Sequence, residues 1–207
     1  TLTMTGTTVP SWATFTASTG VLAGTPLNAD VGDNSVVITV SDGTASVTDS
    51  FTIAVANAND APTITSTAVL TATEDSAYTY TVTASDDDGD TLTMTGTTVP
   101  SWATFTASTG VLAGTPLNAD VGDNSVVITV SDGNGGSVTD TFTITVANTN
   151  DAPTITSSAV TTATEDVAYT YTVTAADVDS GDTLTMTGTT VPSWATFTAS
   201  TGVLAGT

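Results

Sequence analysis

The stretch Asn57-Ala58-Asn59-Asp60-Ala61-Pro62 recurs as Asn148-Thr149-Asn150-Asp151-Ala152-Pro153. Each copy follows one alternating apolar run and precedes another. Proline fixes φ and removes a backbone donor, which is typical of a place where one strand-rich unit ends and the next begins. We therefore interpret this stretch as the joint between two modules. Its Asn and Asp side chains supply oxygen ligands, so the joint is also the first candidate for metal chemistry.

The sequence around the joint is a tandem repeat. Residues 1–43 are reproduced without change by residues 91–133, and the first 25 residues return from Thr183 onward. A repeat of this length fits one small β-sandwich domain. We expect the C-terminal part of a module in residues 1–59, a complete module in 60–150 and the N-terminal part of the next in 151–207. Because both ends cut a repeat, we expect the chain to be a stretch of a longer protein.

The composition excludes several kinds of partner. The 207 residues include 21 acidic side chains and no Lys, Arg, His or Cys. Such a chain cannot neutralise phosphates, which excludes nucleic acid and anionic membrane surfaces as direct electrostatic partners. No apolar stretch predicts a membrane span. Hydrophobic residues still make up 39% of the chain, so it should fold, and metal cations are its natural counter-charge.

The hydrophobic pattern predicts an all-β fold. In Tyr78–Ala84 the residues Tyr78, Tyr80 and Val82 alternate with threonine, the period of a half-buried strand. About seven such strands per repeat, with regular turn signals, predict tandem Ig-like or cadherin-like β-sandwich modules in a linear rod. Trp102 lies in a repeated strand beside Phe105 and is expected in the core, although an exposed tryptophan would offer a platform for a sugar.

The acidic residues converge on the joint in this arrangement. Asp86 and Asp88 are spaced i, i+2 in a loop, as are Asp177 and Asp179, and such carboxylates can share one hard cation. Asp132 begins the last hairpin turn at the same end of the module, and Asp30 of the preceding module should face the same joint. An EF-hand is excluded because position six of the loop is Thr91. Oxygen ligands without soft donors select Ca²⁺.

Several motifs together resemble the cadherin-like repeats of bacterial surface proteins, in particular the dystroglycan-type cadherin-like and "putative Ig" families. They are Pro100-x-Trp102-x-x-Phe105, Thr109-Gly110-Val111-Leu112-x-Gly114-Thr115-Pro116, Val130-x-Asp132-Gly133, Asn150-Asp151-Ala152-Pro153, Glu165-Asp166-x-x-Tyr169 and Asp177-x-Asp179. The resemblance implies sandwiches stiffened by calcium in long extracellular proteins, often adhesins. It also implies that Glu74 and the Leu117-Asn118-Ala119-Asp120 segment serve the next joint. The full set of predicted ligands is Asp30, Asn57, Asn59, Asp60, Glu74, Asp86, Asp88, Asp120, Asp132, Asn148, Asn150, Asp151, Asp177 and Asp179.

Three functions remain open at this point. The first is an extracellular spacer, such as an adhesin stalk or a surface or biofilm fibre, whose joints are stiffened by Ca²⁺. The second is a self-assembling filament or sheath in which modules of several copies of the chain pack side by side. The third is a carbohydrate-binding module. Catalysis is not expected, because without His, Cys or Lys only carboxylates could act as general acids or bases.

Overall fold

The computed structural model describes all 207 residues, and it confirms the all-β prediction. Two short 3₁₀ turns, Asn28–Asp30 and Asn118–Asp120, are its helical elements. The structure contains no helix with the length and apolar character needed to cross a membrane. The strands before the first joint are β1 (Thr3–Thr8), β2 (Ala13–Thr16), β3 (Val21–Gly24), β4 (Gly32–Ser41) and β5 (Ser46–Val55).

Between the two joints the strands form a complete sandwich. They are β6 (Thr63–Ile64), β7 (Thr71–Thr73), β8 (Tyr78–Thr81), β9 (Ala84–Ser85), β10 (Thr93–Thr98), β11 (Ala103–Thr106), β12 (Val111–Gly114), β13 (Gly122–Ser131) and β14 (Ser137–Ala147). After the second joint come β15 (Thr154–Ile155), β16 (Tyr169–Thr172), β17 (Ala175–Ala176), β18 (Ala195–Thr198) and β19 (Val203–Gly206).

The sandwich has one sheet in the order β10-β13-β14-β7 and a second in the order β11-β12-β8, while β6 and β9 form a two-stranded sheet. The opening segment therefore pairs in two sheets, because β6 pairs antiparallel with β9 while β7 pairs parallel with β14. Strands β8 and β9 are two pieces of one extended run. Counting β6 with β7 and β8 with β9 as single interrupted strands gives seven, in agreement with the predicted Ig-like or cadherin-like sandwich.

The core is built by the alternation seen in the sequence. Tyr78, Tyr80 and Val82 are each 5% exposed or less, whereas the intervening threonines face solvent. The two tyrosines and Val82 pack against apolar side chains from the facing strands, and burial of each such side chain contributes roughly 1.5–3 kcal/mol. The other buried members of this cluster are Leu112, Val126, Ile128, Val130 and Ile144.

Trp102 packs on this core rather than standing on the surface. Its indole N–H donates to Asn124 Oδ1 at 3.0 Å, and its ring meets Tyr78 edge to face at 5.5 Å between ring centroids. Trp12 makes the same bond to Asn34 at 3.0 Å. Trp194 is 45% exposed, and its repeat has no strands equivalent to β13 and β14. The tryptophan motif is therefore structural in the complete sandwich.

The topology places the acidic loops at defined ends of the sandwich. The beginning of β6, the end of β9 and the end of β13 lie at one end, since Thr63 pairs with Ser85 and Thr93 pairs with Ser131. At the opposite end, Ala147 of β14 pairs with Thr73 of β7. Loops that follow Ser85 and Ser131 thus meet the first joint, and the residue after Thr73 meets the second.

Candidate metal centre

The loop between β9 and β10 is folded around Asp86. Its Oδ1 accepts the backbone N–H groups of Asp88 at 2.9 Å and of Asp90 at 3.4 Å, an Asx-type turn that curls the chain about one carboxylate. As a result, Asp86, Asp88 and Asp90 each bring an oxygen within 4.8 Å of the others. The structure thus adds Asp90 to the two carboxylates predicted for this loop.

Two oxygens of this loop are buried and lack a hydrogen-bond partner, Asp86 Oδ2 and Asp88 Oδ1. A buried acceptor without a donor costs about 1–3 kcal/mol, and more when the group is charged. Two carboxylates at this spacing also repel each other by a few kcal/mol at an effective dielectric constant of about 20. The chain has no Lys, Arg or His that could relieve either cost.

The first joint is attached to this loop from both sides. The backbone N–H of Asp60 donates to Asp88 Oδ2 at 2.6 Å. From the preceding module, Asn28 Nδ2 donates to Asp60 Oδ2 at 2.8 Å. Asn59 Nδ2 donates to the carbonyl oxygen of Asp60 at 3.1 Å, which fixes the turn of the joint itself. The joint therefore brings residues of two modules to the same carboxylates.

Asp132, in the β13–β14 hairpin, is linked to this group through two asparagines. It is 4% exposed, and its carboxylate accepts the N–H groups of Asn134 at 2.7 Å and Gly136 at 2.9 Å. Asn59 Nδ2 donates to its other oxygen at 2.8 Å. The Asn59 bond is the largest of the effects that hold the pKa of Asp132 below its ordinary value, and the backbone N–H donors add to it against the opposing effect of burial. Asn134 Nδ2 in turn donates to Asp90 Oδ2 at 2.7 Å.

The second joint holds a carboxylate group drawn from two modules. Glu74, which is 2% exposed, Asp151, and Asp179, which is 6% exposed, bring oxygens within 4.8 Å of one another. Glu74 follows β7, and its Oε2 accepts the Thr149 N–H at 3.1 Å. The N–H of Asp151 donates to Asp179 Oδ2 at 2.6 Å, the counterpart of the Asp60 to Asp88 bond.

Asp179 belongs to two groups at once. Besides Glu74 and Asp151, it lies with Asp177 and Asp182 in a loop group of the same 4.8 Å spacing. Asp177 Oδ1 accepts the Asp179 N–H at 3.0 Å, as Asp86 does for Asp88. The loop after β17 thus reproduces the loop after β9 although it is one residue longer. A carboxylate shared between a loop and a joint can link the two through one ligand set.

Other predicted ligands lie outside these groups. The carboxylates of Asp30 and Asp120 fold back on their own 3₁₀ turns, where Oδ2 accepts the N–H of Leu27 and of Leu117, each at 2.9 Å. Asn57 and Asn148 are exposed at the start of their joints. Asn150 Nδ2 donates to the carbonyl oxygen of Asp151 at 2.7 Å, as Asn59 does in the first joint.

The residues that reach across the joints are Asn28 and Asn118, which were not predicted. Asn118 Nδ2 donates to Asp179 Oδ1 at 3.0 Å, while Asn28 reaches Asp60. Each begins the 3₁₀ turn that Asp30 or Asp120 ends. In such a tight turn the acid caps the chain and the first residue projects outward. The sequence signal that could have identified these asparagines is the acid three residues after leucine, because an acid that caps the turn leaves the first residue of the turn to reach outward.

The donor set is uniform: carboxylates, side-chain amides and backbone carbonyls, without sulfur or imidazole. Oxygen-only sites of this kind suit hard cations. The unpaired oxygens of Asp86 and Asp88 fit such a group, because a cation supplies the partner that the protein lacks. The residues present can therefore hold a hard metal ion at the first joint, with a matching set at the second.

Comparison with known proteins gives a family and a fold. The family described as "Putative Ig domain" matches residues 1–56, 61–147 and 152–207. The structure is similar to protocadherin gamma B2 cadherin domains 1-5, with a TM-score of 0.62, 16% identity and coverage of 99% of this chain and 46% of that chain. For the protocadherin gammaB4 extracellular domain the values are 0.59, 17%, 99% and 38%.

An endo-fucoidan hydrolase of glycoside hydrolase family 107 is 35% identical over 72% of this chain, with a TM-score of 0.39. The chain spans 24% of that enzyme and less than half of the protocadherin chains. No curated protein shows significant similarity to the chain.

Proposed function

The chain belongs to the "Putative Ig domain" family, and from that premise we propose that it is a structural repeat region of a long extracellular bacterial protein. Calcium bound at each joint stiffens consecutive modules into a linear rod. The rod serves as an adhesin stalk or surface fibre, with modules divided at residues 59/60 and 150/151. The near-identical copies support this role, because a spacer needs length rather than variety.

One observation carries the calcium part of the proposal: the two buried, unpartnered oxygens of Asp86 and Asp88. In a folded protein such atoms almost always have a partner. Here both residues belong to a group of three carboxylates with oxygens within 4.8 Å of one another, and the chain offers no basic side chain. A divalent cation would remove both the missing interaction and the repulsion among the acids.

The ligand chemistry favours calcium over other cations. Six to eight oxygen ligands in a flexible arrangement are typical of Ca²⁺, whereas Mg²⁺ prefers fewer protein ligands and keeps several waters. At the first joint Asp60, Asp86, Asp88, Asp90 and Asp132 would hold the ion. At the second joint Glu74, Asp151, Asp177, Asp179 and Asp182 would do so. Extracellular calcium modules bind at roughly 10⁻⁴–10⁻³ M, so the joints would respond to calcium in external fluids.

The second joint would couple ion binding to stiffness because its ligands come from both modules. Glu74 precedes the second joint and Asp179 follows it. Without the ion these charges repel and favour separation of the modules. With the ion they become ligands of one centre, and bending the joint would break bonds to the metal.

Replacement of Asp88 tests the proposal. In Asp88→Asn, the unpaired carboxylate charge is removed from the first joint, so we expect calcium affinity at that joint to fall about tenfold or more, roughly 1.4 kcal/mol per decade. The matched control is Asp87→Asn, since Asp87 is exposed in the same loop and outside the carboxylate group. Titration calorimetry and melting with and without calcium measure the effect. Equal calcium responses in both variants would contradict the assignment.

A laterally packed filament is a second candidate, favoured by the outer face of the β10-β13-β14-β7 sheet. Its cross-strand rows carry hydroxyls, with Thr95 opposite Thr129 and Thr129 opposite Thr139. Asp140 of this sheet turns inward, where it accepts the Tyr80 hydroxyl at 3.4 Å. Asp123, which accepts the Thr145 hydroxyl at 2.8 Å, is the one acidic side chain on this outer face. Copies of a chain with net charge −21 could approach most closely over the rest of the face. Sedimentation of calcium-loaded chain at rising concentration tests it: growth of the particle supports packing, and a constant mass opposes it.

A further inference from the structure

The hairpin between β13 and β14 contains the dipeptide Asn134-Gly135. Among the nine asparagines of the chain, Asn134 is the one followed by glycine. The corresponding turn of the first module reads Asp42-Gly43-Thr44-Ala45 and has neither residue at that place. The dipeptide therefore distinguishes one hairpin from its otherwise repeated counterpart.

We propose that Asn134 is a site of spontaneous deamidation. The backbone nitrogen of Gly135 attacks Cγ of Asn134, so an N–Cγ bond forms and the Cγ–Nδ2 bond breaks. The departing Nδ2 group takes up the proton lost from the Gly135 nitrogen and leaves as ammonia. One water then opens the five-membered imide at either carbonyl, which yields aspartate or isoaspartate at position 134. No oxidant, reductant or enzyme takes part.

Exposure and backbone conformation at this turn favour the reaction. Asn134 and Gly135 are both exposed. Gly135 has φ +113°, a backbone conformation that glycine adopts freely, and no atom lies within 4 Å of the place where a Cβ would stand. Residue 135 therefore has no side chain that could hinder closure of the ring onto the exposed Asn134 amide.

Asn124 shows what a protected asparagine looks like in the same module. Its Nδ2 donates to the carbonyl oxygens of Asp120 at 2.8 Å and Gly122 at 3.0 Å, and its Oδ1 accepts the Trp102 N–H. The amide is held at both ends, and the next residue is serine, whose Cβ hinders ring closure. Asn124 is therefore an internal control for the reactivity of Asn134.

Deamidation would change the joint directly. Asn134 Nδ2 donates to Asp90 Oδ2 at 2.7 Å, and Asp90 belongs to the Asp86 and Asp88 group. The product lacks this donor and places another carboxylate against Asp90. In the absence of a cation the hairpin and the loop then repel each other. That the repulsion is relieved by calcium rests on the proposed function, whereas the reaction itself does not.

The test is incubation of the intact chain in metal-free buffer at mildly alkaline pH and 37 °C, followed by digestion with pepsin and mass spectrometry. We expect the amide-to-acid mass change and isoaspartate to accumulate in the peptide containing Asn134, while the Asn124 peptide stays unchanged. Asn134→Gln should abolish the change at this position, because its ring would need six members. An unchanged Asn134 peptide, or equal conversion of Asn124, would overturn the proposal.

Melting of Asn134→Asp separates this proposal from the calcium assignment. In chelator we expect Asn134→Asp to melt at a lower temperature than the unmodified chain. In calcium we expect the two melting temperatures to differ by less. An equal melting temperature in chelator would overturn the structural consequence. If the mass change occurs but calcium stabilises neither protein, the calcium assignment fails and the modification site stands.

Discussion

Asp132 illustrates how a single residue of the joint depends on its neighbours. The side chain of Asn59 is the largest of the effects that keep the pKa of Asp132 below its ordinary value of 3.8. Because the folded-state pKa is lower than that of the unfolded chain, the ionised carboxylate contributes stability above about pH 3.8. That contribution is lost as the pH falls through the lower, folded-state pKa.

We therefore expect Asn59→Ala to raise the pKa of Asp132 toward its ordinary value and to destabilise the chain at neutral pH. The loss should vanish well below pH 3.8, where the carboxyl is protonated in both states. Carboxyl NMR titration and melting at both pH values measure this. Asp42 is the control, because backbone N–H groups of Ala45 and Thr44 lower its pKa without an Asn59. A shift of both residues, or of neither, would contradict the account.

The two ends of the Asn118–Asp120 turn should behave differently on substitution. Asn118→Ala removes the donor to Asp179 across the second joint, so we expect it to alter the difference in stability between calcium and chelator. Asp120→Asn weakens the cap on Leu117, and we expect a loss of about 0.5–2 kcal/mol in both conditions. Paired melting curves compare them. If Asp120→Asn changed the calcium dependence instead, Asp120 would be a ligand as the sequence predicts.

The sequence was informative about residues whose role follows from local pattern. Asp86 and Asp88, two residues apart in a loop, do come together, because an Asx turn depends only on neighbouring residues. Asn118 was missed because its importance depends on how one module approaches the next. Glu74 was placed at the far end of the module from its position just before the Tyr78 strand, but its burial could not be predicted because it arises from long-range pairing of β7 with β14.

At the scale of elements, the β13–β14 hairpin is constrained by its turn. A Cβ at Gly136 would collide with Asp132 Oδ2 and lie 2.9 Å from Ala61 Cα. We expect Gly136→Ala to destabilise the complete module by roughly 1–3 kcal/mol, as overpacking does. Chemical denaturation measures the loss. In the first module Ala45 occupies the equivalent place, so Ala45→Gly is the control and should change stability little. A neutral Gly136→Ala would show that the hairpin does not press on the joint.

The strand pattern was predicted where alternation is regular and missed where a strand changes sheets. Tyr78, Tyr80 and Val82 follow strict alternation and are buried as expected. The opening segment is different: β6 and β7 pair in separate sheets, and β8 ends before β9 begins. The break before β7 depends on its pairing with β14, and the break after β8 separates a strand paired with β12 from one paired with β6. Short-range periodicity could not reveal such pairings.

At the scale of the whole molecule, the clustered carboxylates and the hydrophobic cores lie in different places. The carboxylates described above gather at the joints, whereas apolar side chains hold each sandwich together without disulfides or basic residues. Folding of a module should therefore depend on its core, and the relation between modules should depend on the ion. Calcium removal is then expected to loosen the chain before it unfolds the sandwiches.

The most direct test of this account is small-angle X-ray scattering of the intact chain during titration with calcium and then with excess chelator. Because the second joint draws its carboxylates from two modules and Asn28 reaches Asp60 across the first, we predict an extended particle of large maximum dimension in calcium. In chelator we predict a more flexible particle with a broadened distance distribution, while circular dichroism still shows β-structure. Scattering curves that coincide in calcium and chelator would contradict the assignment of the joints as calcium centres.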